Sequence, residues 1–479
     1  MLIAAAMLMT ISTLVAQEAI ETTPPPPAPP RAAQVPQPSE KTLKNGLRVI
    51  VVQKRNVPLV AARLLFKAGG EADPAKLAGL ADLTASLLTK GTATRSAEQI
   101  AQQVEALGAT LESGAGWDTS FASVNVLSSK LPRAISYLAD VARNPTFKQD
   151  EIDRLREQNV DSLSVAMRQP RALAGFVAAR VLFGEGPYGH AISGTPESLQ
   201  QIKRDDVVAF HKTWYRPDNA ILVIGGDIDA QRGFALAEES FGTWKATGPA
   251  PAAVKTEPLQ PKRRIVVVDL PDAGQAAVVV TRPGISRLDP AYNVASVTNS
   301  ILGGGYSSRL NLEIRVKRGL SYGANSAFEM RRDAGPFSAQ TQTKNESAAE
   351  VASIMLTELD RLATSAVPAE ELTPRKASLI GNFGRALETS NGLVTRIAGL
   401  ALYGIPLSDI NKYIGGVDAV GASDVQSFSS SHLGGTQASV VIAGDAKKFM
   451  DDLKKRFGSD TIEVIPVKEL DLNSPTLRK

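Results

Sequence analysis

Short runs of β-branched and apolar residues alternate along this chain with longer stretches in which apolar residues return at helical spacing. Arg48-Val-Ile-Val-Val52, Val60-Ala-Ala-Arg-Leu64, Val266-Val-Val-Asp-Leu270 and Val278-Val-Val-Thr-Arg282 read as strands. Ala97 to Leu107 (AEQIAQQVEAL) carries the helical period, and Lys148 to Val165 is polar with Ile152, Leu155, Val160 and Leu163 interspersed, which predicts two amphipathic helices. Strands clustered between long helices predict an α+β layer in which helices cover one face of a mostly antiparallel sheet.

The pattern occurs twice. Asp206-Val-Val-Ala-Phe210 precedes Val223-Ile-Gly-Gly-Asp227, and Asp424-Val-Gln-Ser-Phe428 precedes Val441-Ile-Ala-Gly-Asp445, with the same 21-residue interval from first to last Asp. An offset of 218 residues also carries the strands near 48 and 60 onto those near 266 and 278. Self-similarity over so long an interval marks two copies of one domain. The divisions expected are a signal peptide at 1–16, a proline-rich linker at 17–40, a first domain at 41–245, a linker at 246–261, a second domain at 262–461 and a C-terminal tail at 462–479. Both linkers rest on composition: TTPPPPAPPRAAQVPQP favours an extended spacer, and ATGPAPAAVKTEPLQP separates the two periodic regions.

Composition narrows the function classes. The 479 residues are 43% hydrophobic, enough to bury more than one core. A net charge of +4, with cations and acids interspersed, gives no phosphate-tracking surface and argues against a nucleic-acid partner. The opening MLIAAAMLMTISTLVA is too short to span a bilayer comfortably and reads as an export signal cleaved after Ala16, pointing to a secreted protein of a bacterial periplasm without a stable membrane span. Cysteine is absent, which removes disulfides and thiolate ligands.

The chemistry-bearing residues are sparse. His190, His211 and His432 are the only histidines, and none has a partner at the spacing that puts two ligands on one helix face. Each reads first as a loop or packing histidine. No Gly-x-Ser-x-Gly elbow is present, and Gly303-Gly-Gly-Tyr-Ser-Ser-Arg309 lacks the ending of a phosphate-binding loop.

Taken in order, several strings carry a resemblance. Leu43-Lys-Asn-Gly-Leu-Arg-Val49, Phe66-Lys-Ala-Gly-Gly70, Gly79-Leu-Ala81, Lys90-Gly-Thr92 and Trp214-Tyr-Arg-Pro-Asp-Asn-Ala220 lie in the first copy. Leu302-Gly-Gly-Gly-Tyr-Ser-Ser-Arg-Leu310 and Lys317-Arg-Gly-Leu-Ser-Tyr322 lie in the second. From about Leu43 to Phe457 the chain resembles the insulinase or pitrilysin-like family, the M16 metallopeptidases. Active members hold zinc through His-x-x-Glu-His and a later Glu, and the resemblance lays those positions on Asp82, Ala85, Ser86 and Ser162, with a supporting Glu at Leu155. The helices of the site are implied; its ligands are lost, so no cofactor is expected in this chain.

The same resemblance implies a surviving function. In the family, an Arg and a Tyr seven residues apart reach substrate from the second copy, and here they match Arg315 and Tyr322. Ser307 to Lys317 reads as a helix closed by Gly319, with Leu320-Ser-Tyr322 opening a strand. Loss of ligands with retention of this pair resembles the non-zinc subunit of heterodimeric bacterial members. The expectation is a pseudopeptidase, inactive alone, that pairs with a homologous zinc-bearing subunit to hydrolyse an extended peptide. The alternatives are a catalytically silent structural homologue and a peptide-binding protein acting alone.

Overall fold

The computed structural model describes residues 34–255, 262–458 and 462–479. The expected signal peptide, most of the proline-rich linker and residues 256–261 of the second linker lie outside the described residues.

Two six-stranded sheets are built on one plan. The first contains β1 (Ser39–Thr42), β2 (Arg48–Gln53), β3 (Leu59–Phe66), β4 (Thr110–Ala115), β5 (Ser120–Leu127) and β6 (Ala220–Gly226), in the order β1-β2-β6-β3-β5-β4. The second contains β7 (Ile265–Asp269), β8 (Ala276–Pro283), β9 (Ala324–Phe328), β10 (Pro336–Thr343), β11 (Ser439–Gly444) and β12 (Ile462–Pro466), in the order β12-β7-β11-β8-β10-β9. The duplicated α+β architecture expected from the repeat is therefore present. Each sheet is mostly antiparallel; β2 runs parallel to β6, and β7 runs parallel to both β11 and β12. The copies differ at one edge, where β1 lies antiparallel to β2 whereas its counterpart β12 lies parallel to β7.

Both central strands of each sheet are buried on both faces, as β6 is throughout its length. One face of the first sheet packs on helices of its own half through Val49, Val51, Leu64 and Leu222. Its other face, through Ile50, Val52, Leu65 and Val223, packs on Leu393, Val394, Ile397 and Ala398 of the helix Ser390–Leu402, which belongs to the second half. The exchange is reciprocal: Leu173, Ala174, Val177 and Val181 of the helix Pro170–Phe183 cover Val266, Val268, Val279 and Val441 of the second sheet. The expectation that helices cover one face is thus corrected. Two-sided burial requires a continuous apolar strand, which is what AILVIGG and AAVVVTRP supply. Close approach is made possible at Gly225, where a Cβ would lie 2.7 Å from Val394 Cγ2.

A polar junction also ties the halves together. Asp118 accepts hydrogen bonds from the hydroxyls of Tyr188 (2.5 Å) and Tyr403 (2.9 Å) and from the backbone amide of Arg332 (2.7 Å). Next to it, the Arg331 guanidinium lies 4.3 Å from the centre of the Trp117 ring.

Two boundaries move. Residues 462–479 are not a tail: they supply β12, and Leu470, Leu472 and Leu477 are buried, with Arg180 donating to the Leu472 carbonyl. Within the proline-rich stretch, Val35 is buried, the Asn411 side chain pairs with both its amide and its carbonyl (2.8 and 2.9 Å), and β1 begins at Ser39. Composition identified the prolines but not the residues among them that find apolar or hydrogen-bonding partners.

Candidate functional site

The helix Leu80–Leu87 carries the positions that the resemblance aligned with a zinc motif. It starts after Gly79, whose φ of 93° suits glycine, and the Asp73 carboxylate accepts from the amides of Gly79 and Ala81, both at 2.7 Å. Asp82 is half-buried and Ala85 fully buried. Burial first, and then the nearby charge of Asp73, push the Asp82 carboxyl up to about 6. Ser162 lies on the helix Gln149–Ala166, exposed, with its hydroxyl donating to the Gln158 carbonyl at 2.8 Å. Leu155, on the same helix, packs against the first core.

Zinc needs three or four protein donors. These positions offer one carboxylate, a methyl group and two hydroxyls, one of which is already bonded to its own helix. They do not fit the ion, and among the described residues no group of three or more His, Asp or Glu is arranged to hold a metal. The histidines serve packing. His190 Nε2 lies 3.3 Å from Asp73 with its ring edge-on to Trp117, His211 donates to the Ala142 carbonyl at 2.9 Å, and His432 stacks on Phe428. Burial pushes His211 down to about 4, so it is neutral at physiological pH.

Arg315 and Tyr322 come together elsewhere, lining a groove of about 960 Å³ beside β9. Asp82, Ala85, Ser86 and Ser162 do not line it. The chain reaches Arg315 through one short turn, Arg309–Asn311, followed by a wider π-turn, Leu312–Val316, in which the Lys317 amide bonds to the Leu312 carbonyl at 2.9 Å. Wide turns of this kind occur often at functional sites. Gly319, at a φ of 62°, ends the segment, with its amide donating to Arg315 and that of Leu320 to Ile314.

Tyr322 does not open a strand; β9 starts at Ala324. The Ser321 hydroxyl accepts from the Gly323 amide at 2.9 Å, which bends the backbone into a turn. Thr341 and Thr343 of β10 donate to the carbonyls of Gly323 (2.7 Å) and Leu320 (2.6 Å). The loop is anchored through its backbone, while the Tyr322 side chain remains 90% exposed. Arg315 is also exposed, its guanidinium 4.9 Å from the centre of the Tyr306 ring. Neighbouring Lys317 and Arg318 both pair with Glu313. The second half of the chain thus presents one guanidinium and one phenol to a wide polar groove, both hydrogen-bond donors.

Arg171, at the start of the exchanged helix Pro170–Phe183, lines the same groove from the other half of the chain. Sequence reasoning missed Arg171, because nothing local to residues 170–183 marks which sheet that helix covers. Its role depends on the exchange.

A family model described as Insulinase (Peptidase family M16) matches residues 48–184, and one described as Peptidase M16 inactive domain matches residues 201–379. An uncharacterized zinc protease of Mycobacterium bovis is 29% identical over 373 residues, covering 77% of this chain and 84% of that protein. Another, of Mycobacterium leprae, is 28% identical over 414 residues, covering 85% and 92%. The crystal structure of a peptidase M16 inactive domain from Pseudomonas fluorescens superposes with a TM-score of 0.80 at 29% identity, covering 85% of this chain and 98% of that one. A protease from Helicobacter pylori, 21% identical, shares the fold with a TM-score of 0.81 over 86% and 100% of the two chains. With family models matching both of its halves and a duplicated fold in common with these proteins, the chain belongs to the M16 peptidase family.

Proposed function

We propose that this chain is the non-zinc subunit of a heterodimeric M16-type peptidase, exported to the periplasm, whose partner is a homologous zinc-bearing subunit. One observation carries the reading: Arg315 and Tyr322 stand exposed in one groove on a backbone fixed by hydrogen bonds, while the helix that would hold zinc offers Ala85 and Ser86 where ligands are needed. A peptide lies extended in the groove beside β9, within reach of both side chains. The Arg315 guanidinium and the Tyr322 hydroxyl then donate to a peptide carbonyl, and more strongly to that oxygen as negative charge develops on it. The metal and its chemistry belong to the partner.

The test is peptide hydrolysis by the reconstituted pair. Arg315→Ala or Tyr322→Phe lowers kcat by about 10²- to 10³-fold, the loss typical of a transition-state donor, with complex formation intact. A complex whose rate is unchanged by both substitutions assigns the chain a structural role instead.

A further inference from the structure

We infer that the groove selects peptides bearing a carboxylate, held between Arg171 and Arg315. The inference rests on the reading that this groove receives an extended peptide, and it adds the chemical class of that peptide.

Among the described residues no Asp or Glu lines the groove, whereas two guanidiniums do, one from each half of the chain. The nearby acids are already engaged: Glu313 pairs with Lys317 and Arg318, and Glu371 holds Arg309 at 2.7 Å. Arg171 and Arg315 enter no ion pair among the described residues. The first turn of the helix carrying Arg171 contains no acidic residue and has no side-chain cap, so its positive end adds to the same field. The rest of the lining consists of neutral donors and acceptors such as Asn325 and Gln340, with the Tyr306 ring under Arg315.

β9 is the last strand of its sheet, with the outward amides of Ala324 and Ser326 donating to Asn311 Oδ1 (3.3 Å) and the Gly303 carbonyl (3.2 Å), and with Asn325 and Ala327 exposed beside the groove. An extended peptide lying in the groove directs every second side chain to the same face. An acidic side chain on that face, or the terminal carboxylate of a short peptide, meets a guanidinium fork whose geometry matches it. A basic residue there meets repulsion instead. Specificity comes from this charge contrast.

The experiment is fluorescence anisotropy of the purified chain with matched labelled peptides of seven residues. One has two Glu residues at alternate positions, one has Gln and one has Lys in their place; all are acetylated and amidated, and a fourth, the Gln peptide, keeps a free C-terminal carboxylate. At low salt the Glu peptide binds about fivefold more tightly than the Gln peptide, as two exposed ion pairs permit, and the advantage shrinks at high salt. If the Gln peptide with a free terminus binds as tightly as the Glu peptide, the groove takes either kind of carboxylate; if it binds like the amidated Gln peptide, the groove takes side-chain carboxylates alone. Arg171→Gln reduces the ratio of Glu to Gln affinity, and thermal melting checks that this variant is folded. Equal affinity for all the peptides, or a Glu preference unchanged in Arg171→Gln, overturns the selection while leaving Arg315 and Tyr322 as a gripping pair. Failure of every peptide to bind also overturns the selection, whereas the gripping role of Arg315 and Tyr322 falls only with an unchanged hydrolysis rate in the reconstituted pair.

Discussion

Glu71 and Arg332 join the two halves of the chain: the guanidinium Nη1 lies 3.2 Å from Glu71 Oε1, beside the carboxylate of Asp118. Glu71 is buried, and its Oε2 accepts from the Gly69 amide at 2.8 Å. Desolvation outweighs the attraction of Arg332, and the charge of Asp118 opposes ionisation further, so the Glu71 carboxyl is pushed up to about 7.

A pH dependence of stability follows. An acid whose folded-state value is raised favours the fold most below its unfolded value, and that contribution is lost as the pH climbs through the folded value. For Glu71 the window runs from about 4.5 to about 7, and the loss across it is at most about 3 kcal/mol. Asp82, pushed up to about 6, acts in the same direction. Buried His211, held at about 4, acts in the opposite direction up to its unfolded value, so the sign is read from the difference between two proteins. Thermal melts between pH 4.5 and 8 should show the parent losing stability relative to Glu71→Gln toward the alkaline side. An equal slope in that variant would remove Glu71 as the cause.

The helix exchange makes a prediction about packing. At Gly225 an added Cβ meets Val394 Cγ2 at 2.7 Å and Val52 Cγ1 at 2.9 Å, so Gly225→Ala displaces the exchanged helix from the first sheet. Overpacking of this kind costs about 1–3 kcal/mol. Denaturant unfolding of Gly225→Ala should show that loss, and pairing it with Val394→Ala should recover part of it, because the smaller side chain clears the clash.

Restoring donors tests whether the zinc helix retains its shape. The combined variant Asp82→His, Ala85→Glu, Ser86→His and Ser162→Glu places ligand types at every aligned position. Elemental analysis should then find close to one zinc per chain. Without the metal the variant should melt below the parent, because a carboxylate at fully buried position 85 lacks a partner. A stable variant that takes up no zinc would mean that these helices are no longer arranged as a ligand shell.

Much of the molecule was legible in the sequence because the relevant forces are local. The runs at β2, β3, β7 and β8 had the β-branched character of buried strands, and the two amphipathic helices formed as Gln149–Ala166 and Ala97–Glu105. The 218-residue offset fixed the duplication, and the residue types at 82, 85, 86 and 162 fixed how few donors a metal would find. Gly319 ended the segment before Tyr322 as expected of a left-handed cap.

The partners of those elements were decided only in three dimensions. Periodicity records that a helix has an apolar face but not which sheet covers it, so the helices at 170–183 and 390–402 gave no sign of crossing to the opposite half. That crossing brings Arg171 beside Arg315 and Tyr322, residues separated by more than a hundred positions in the chain. It also gives the 462–479 segment its cover: β12 pairs with β7, and Leu470, Leu472 and Leu477 pack in one cluster with the helix from the first half. Local sequence sets what each segment buries; long-range packing, in which burial of one face depends on another segment's arrival, sets where the groups capable of chemistry meet.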